Sequence, residues 1–427
     1  MNYAGMQIRR QGDWALYLRG ASKHFYNTQY TRDGFLFYSI GGLGLVQKGK
    51  QHAMWADPEK PGLNGRHDPT SQLMTAGYHP SYAPAVTAVE APWAELGQRY
   101  YQRGSHAAVG GVGLGRSGVF VQSFDARLNE GQYGQTAAKD LAFRKSYFTF
   151  DRHVVALGRD LRAGAGQPVV TGILQERAEA AAPGIVLGKS ELSWPQLAAG
   201  VPSEKVNWAQ TRDGSLSVWL FPGQRVRGEN GPQEVCGRTG EMTRLYVDHG
   251  AELAAGQGSY GMIYTVLPEP GAMAAFAAAM SGATPPIRLL ADAPSLQVVE
   301  SRQAGENSTG YACHAAGVIA AAGPVAQVDA PCLLMTRASA GGKTLELAVA
   351  DPDIHMERTP ENPFGWSVPT PIGVTLNGSW KLAQAVEVRG LKPPQVTVEA
   401  PRGGQTVVRV TVVDGLSTEL RFIASGP

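Results

Sequence analysis

The sequence predicts an all-β fold built as an antiparallel sheet stack, with a second, smaller β unit at the C-terminal end. Three observations carry this. Short runs of β-branched and aromatic residues recur along the 427 residues, each closed by a turn signal. The 53 glycines and 28 prolines follow no collagen-like period, so they read as punctuation between strands rather than as disorder. Only one stretch, AMAAFAAAM at 272–280, has helical composition, and it is followed by Ser-Gly.

Taken in order, the chain opens on a strand ending at Arg9-Arg10, a Gln-Gly-Asp turn, and a second strand from Trp14. Trp14, Leu16 and Leu18 share one face of that strand, with Ala15, Tyr17 and Arg19 on the other. A polar and aromatic loop over 22–34 and a third strand over 35–40 complete the unit. An internal hairpin seldom opens a natural secreted domain, so this start is expected to follow a missing upstream part. Residues 41–104 are rich in proline and read as a long irregular excursion, carrying Tyr78-His79-Pro80-Ser81-Tyr82 and Tyr100-Tyr101. Such a segment is either a surface excursion pinned by its own aromatics or a substrate contact.

A meander follows, with strands expected over 107–118, 119–124, 142–150, 154–158, 168–175, 206–208, 215–221, 245–250 and 260–267. No helix intervenes before 272, which points to antiparallel pairing. Strands over 296–300 and 317–320 precede a boundary at Gly323-Pro324. The domains are therefore drawn as 1–324 and 325–427, the second holding strands near 332–335, 345–350, 372–376, 386–388, 396–399, 407–413 and 417–423.

Bulk charge gives little direction: the formal net charge is +2 and 17% of residues are charged. Nucleic-acid binding gains no support from such a balance. Cys236, Cys313 and Cys332 fit no metal spacing; a Cys313–Cys332 bridge is conceivable, but three buried thiols are the preferred reading. No apolar run reaches the length of a membrane helix, and the first residues carry no signal sequence. No nucleic acid, membrane, metal or cofactor is expected.

The chemical motifs are weak. Gly110-Gly111-Val112-Gly113-Leu114-Gly115 mimics a dinucleotide fingerprint, but no helix follows it, so it reads as a glycine-rich strand. Asp248-His249 is the best His–carboxylate neighbour pair, yet adjacent residues on a strand point to opposite faces. Asp351-Pro352-Asp353 reads as Asx-turn chemistry ahead of cation binding. Arg9, Lys23, Arg32, Arg144 and Lys145 place basic groups near strands; most should be solvated, and some could pair with an acidic ligand.

Several ordered segments resemble the polysaccharide lyase family 8 superfamily, in particular its chondroitin-sulfate ABC lyase branch. They are Tyr3-Ala4-Gly5-Met6 with Arg9-Arg10 and Trp14, Ser22-Lys23, and Gly34 through Gly41. Phe143-Arg144-Lys145-Ser146-Tyr147-Phe148, Phe150-Asp151, Leu157-Gly158 and Tyr246-Val247-Asp248-His249-Gly250 continue the match. Tyr260, Tyr264-Thr265-Val266-Leu267-Pro268 and Ala348-Val349-Ala350-Asp351-Pro352-Asp353 complete it.

The resemblance implies a large antiparallel β super-sandwich followed by a small C-terminal β-sandwich, without the family's N-terminal helical toroid. It implies β-elimination on an acidic polysaccharide such as chondroitin, dermatan sulfate or hyaluronan. The family's Tyr, His and Arg lie on the toroid, so no catalytic residue is assigned in this chain. The family's β-sandwich Glu falls near Gln29, which keeps hydrogen bonding but carries no charge. Asn27, Gln29, Tyr30 and Arg32 are the substrate-binding candidates; the loop could equally serve only to pack on the toroid.

The expected protein is then the β-domain part of an extracellular or periplasmic lyase, inactive without a toroid supplied in cis or trans. The alternative is a non-catalytic carbohydrate-binding or scaffolding β-sandwich module.

Overall fold

The computed structural model describes residues 5–20, 22–24, 26–30, 36–38, 42–47, 76–92, 95, 101–103, 106–129, 137–178, 182–188, 191–235, 238–253, 256–266, 271–303, 306–321, 323–386 and 395–425. Four antiparallel sheets stack in layers, separated by three apolar cores.

The central layer is an eight-stranded sheet. Its strands run in the order Ile185–Leu187, Trp208–Thr211, Ser217–Leu220, Gly258–Thr265, His153–Arg162, Ala142–Phe150, Ser117–Asp125 and Val109–Leu114. Both of its faces are covered, which explains the nearly unbroken apolar runs of its strands. Phe120, Phe124, Phe143, Tyr147, Ala156, Tyr260, Met262 and Tyr264 face one core. Val119, Val121, Phe148, Phe150, Val155, Leu157 and Ile263 face the next. Alternation along each strand thus sends neighbouring residues into different cores.

The first core is closed by a five-stranded sheet containing Thr87–Val89, Val169–Arg177, Arg238–Asp248 and Arg225–Val235. The second is closed by the helix Ala272–Met280 and by a seven-stranded sheet, through Val299, Ala312, Leu333, Met335, Ala348 and Ala350. The other face of that seven-stranded sheet meets a last five-stranded sheet, with Ile372, Val374, Val408 and Val410 across from Val298, Leu334, Leu347 and Phe422.

The boundary drawn at 324/325 runs across one sheet rather than between two. Glu306–Cys313 and Cys332–Ser339 pair from Glu306↔Ser339 to Cys313↔Cys332, and the chain between them makes only a short excursion into the last sheet. Cys313 and Cys332 are buried free thiols facing each other in this register; Cys236 lies outside the described residues.

Several other expectations need revision. The 206–208 segment gives way to the strand Trp208–Thr211; of the expected strand over 386–388, residues 387 and 388 lie outside the described residues, and Val386 ends the strand Trp380–Val386. The long strand Arg225–Val235 was absent from the sequence reading, because charged residues and glycines dilute its alternation. Two further helices occur, Trp194–Ala199 and Ser203–Val206. The first carries a legible start signal, the Ser193/Gln196 capping box, with Ser193 N–H donating to Gln196 Oε1 at 2.9 Å. No helix among the described residues is long and apolar enough to cross a membrane.

Candidate functional site

The N-terminal residues form two small sheets. In the first, Met6–Gln11 pairs with Trp14–Arg19, which pairs with Gly42–Gln47. Leu16, Leu18, Leu43 and Leu45 are buried in the first core, as the alternation of the second strand predicts. Tyr17 lies across Gly44, where a Cβ would come 2.0 Å from the ring, so only glycine leaves room for it. Polar ties fix this sheet to the stack: Gln7 Nε2 donates to Val112 O at 3.3 Å, and Arg9 reaches Asp151 at 3.7 Å.

The second sheet has Tyr26–Tyr30 at its centre, flanked by Leu36–Tyr38 and Tyr101–Arg103. The expected polar loop over 22–34 is therefore interrupted by a strand. Its β-branched and aromatic residues pair, with Gln29 opposite Phe37 on one side and Tyr101 on the other. Asn27, Gln29 and Tyr30 all lie on this strand, and Asn27 stands where its register against Tyr101–Arg103 slips. Arg32 lies outside the described residues.

Leading into that strand, Ser22–His24 meets a segment more than three hundred residues away. Lys23 forms an ion pair with Glu357, and its backbone N–H donates to His106 O at 2.9 Å. The Asp351–Pro352–Asp353 run behaves as Asx-turn chemistry predicts. Asp351 Oδ1 accepts from Asp353 N at 2.9 Å, and Asp353 Oδ1 accepts from His355 N at 2.9 Å. His24, Asp353 and Glu357 bring one imidazole and two carboxylates within 4.8 Å of one another, a donor set that suits a divalent cation. Lys23 already balances the charge of Glu357, holding that carboxyl below its usual range.

The remaining basic candidates do not converge on a groove. Arg144 Nη1 donates to Pro294 O at 2.9 Å. Lys145 is 0% exposed, against the expectation of solvated cations, and Nζ donates to Ala85 O at 2.6 Å. Burial drives its ammonium pKa well down. Ala85, at φ 59°, is held by this network: its N–H reaches Gly172 O and Tyr264 Oη, each at 2.9 Å. Tyr78, His79 and Tyr82 are likewise buried, so that part of the excursion is core rather than surface or sugar contact.

Chemically, the described tyrosines offer no fully exposed phenol for proton abstraction. Every tyrosine whose side chain is described is buried, except half-buried Tyr17. Burial raises the phenol pKa of Tyr78, Tyr82, Tyr147, Tyr246, Tyr260, Tyr264 and Tyr311, keeping each protonated. In the outer Tyr/Arg/Glu cluster the tyrosine hydroxyls are taken up by carboxylates. Tyr246 Oη donates to Glu229 at 3.0 Å, Tyr82 Oη to Glu90 at 2.8 Å, and Arg244 stacks 4.1 Å over the Tyr82 ring. Asp248 and His249 diverge, the former accepting from Gly250 N–H and the latter meeting Thr171 Oγ1 at 2.9 Å.

Residues 82–275 match the family description "polysaccharide lyase family 8, super-sandwich domain". That match covers less than half of the chain and relates its central region to polysaccharide lyase family 8. The fold agrees with solved structures over nearly the whole chain. It aligns with Streptomyces coelicolor A3 chondroitin AC lyase in complex with chondroitin sulphate at TM-score 0.69 and 18% identity, covering 99% of this chain and 49% of that one. For Paenibacillus xanthan lyase the TM-score is 0.73 at 17% identity, covering 100% of this chain and 37% of that one. A chondroitinase AC lyase studied as oligosaccharide complexes gives 0.64 at 16% identity, covering 98% of this chain and 52% of that one. The chain thus spans about half or less of the length of these structures. No curated protein matches it.

Proposed function

We propose that this chain is the β-domain part of an extracellular or periplasmic polysaccharide lyase acting on uronate-containing glycosaminoglycans. The observation that carries the reading is the four-sheet stack, which follows solved polysaccharide lyases across 98–100% of its length. In the reaction a base removes the proton at C5 of the uronate, and an acid protonates the leaving oxygen at C4. The C4–O bond breaks and a C4=C5 double bond forms. Inactivity without an α/α toroid acting in cis or trans is part of this reading, supported by the burial of every described tyrosine side chain other than Tyr17. Gln29, with Asn27, Tyr30 and Arg32, would then meet sugar beside that toroid, its neutral amide standing where a carboxylate would orient an arginine.

A non-catalytic carbohydrate-binding module is the second reading, favoured by the burial of every described tyrosine side chain other than Tyr17. Both readings require affinity for acidic polysaccharide. Affinity electrophoresis of the purified chain through gels containing chondroitin sulfate, hyaluronan or a neutral glucan tests this. Retardation in the acidic gels alone is expected; equal mobility in all three would overturn both readings.

A further inference from the structure

Between Ile354 and Thr370 the chain has no strand or helix, yet it is tightly organised. Thr359 and Asn362 exchange backbone hydrogen bonds at 3.3 and 3.0 Å, and Gly365 N–H closes a turn on Asn362 O at 3.1 Å. The Asn362 side chain then clamps the far arm, its Oδ1 accepting from Trp366 N at 3.0 Å and its Nδ2 donating to Trp366 O at 2.7 Å. Gly365 makes the closure feasible: its φ is 67°, and a Cβ there would lie 2.9 Å from Met356 O.

This fixed turn displays two large aromatics to solvent, Phe364 at 75% and Trp366 at 72% exposure. No other aromatic of the described residues is among the exposed large hydrophobics. Two large exposed aromatics on one ordered turn form an apolar feature of the kind that serves as an interaction site. The stem of Arg358 lies against Gly365, the residue between them in the chain, its Cγ 3.3 Å from where a Cβ would sit. Arg358 is exposed and has no ion-pair partner among the described residues. The nearby Glu357 is neutralised by Lys23.

We propose that Phe364, Trp366 and Arg358 form a subsite for an acidic sugar unit. An aromatic face covers the apolar C–H face of a pyranose ring, and a guanidinium pairs with its carboxylate or sulfate in a two-pronged geometry. The clamp by Asn362 holds the Trp366 backbone in place before the ligand arrives, which lowers the ordering cost of binding. The subsite rests on the acidic-polysaccharide reading above and deepens it. Through the Lys23–Glu357 pair it joins the segment that leads into Tyr26–Tyr30, so one oligosaccharide would run from this turn toward the Gln29 strand.

The test uses the full chain with size-defined chondroitin sulfate and hyaluronan oligosaccharides. Trp366→Ala and Arg358→Ala should each weaken binding, Trp366→Ala by at least about tenfold. Trp366→Tyr should restore most of it, and Val318→Ser, at an exposed apolar residue elsewhere, should leave it unchanged. A ligand-induced change in tryptophan fluorescence should be present in the natural chain and lost in Trp366→Phe. If the natural chain binds but these variants bind equally well, the subsite is wrong while the functional reading stands. If the natural chain binds no acidic oligosaccharide, both fall. Binding of neutral oligosaccharides with equal strength, or conversion of a dimer to a monomer by Trp366→Ala, would also overturn the subsite.

Discussion

Burial sets the protonation of individual residues throughout the stack. His79, His153, His249 and His314 each have a pKa lowered to about 4, chiefly by desolvation. An imidazole with its pKa near 6.5 when unfolded and lower when folded stays neutral in the fold. Its contribution to stability is fully present above pH 6.5 and is lost as pH falls toward 4. The thermal midpoint should therefore fall steadily from pH 6.5 to 4; a flat profile across that window would contradict the burial of these rings. Lys145 has the same sign at higher pH: its lowered pKa means stability gained as pH rises toward its unfolded value near 10. Lys145→Met should flatten the rise in urea midpoint between pH 7 and 9. An unchanged slope would show that the amine is charged in the fold. Neither group was legible from sequence, since Lys145 follows an arginine in a strand and its burial depends on the sheet stacked above it.

At the scale of elements, the N-terminal sheet shows what local pattern can and cannot reveal. The Trp14–Arg19 alternation was readable and is borne out by buried Leu16 and Leu18. Leu18→Ala should cost about 2–5 kcal/mol in chemical denaturation, through lost burial and a residual cavity. A loss well under 1 kcal/mol would mean that this sheet is not part of the cooperative core. Gly44→Ala should be as damaging for a steric reason, because the new methyl meets the Tyr17 ring. The strand Tyr26–Tyr30 was hidden inside a polar stretch, since its partners lie in separate segments, one of them over seventy residues downstream. Likewise the Phe364–Trp366 turn left no strand or helix signal. Its order comes from local backbone hydrogen bonds and the Asn362 side chain, which leave no periodic pattern in the sequence.

Across the whole molecule, the all-β class and antiparallel layering were legible because each strand declares itself by composition. The order of layers was not, because both faces of the two central sheets are buried and an apolar run does not say which core each residue enters. For that reason the division at 324/325 misses that strands before and after it complete one seven-stranded sheet. A chain cut after residue 324 would leave Val298 and Tyr311 without the Leu334, Leu347 and Val349 side of their core. Such a fragment should lose cooperative unfolding and bind hydrophobic dyes; a sharp two-state transition would show that the first 324 residues are self-sufficient.

The central proposal is that this chain is the β-domain part of a lyase whose proton-transfer groups lie elsewhere. Its most direct test incubates the purified chain alone with chondroitin sulfate and hyaluronan and follows the ultraviolet absorbance of unsaturated uronate. The account predicts no product although the polysaccharide is bound; release of unsaturated oligosaccharides by the chain alone would contradict it.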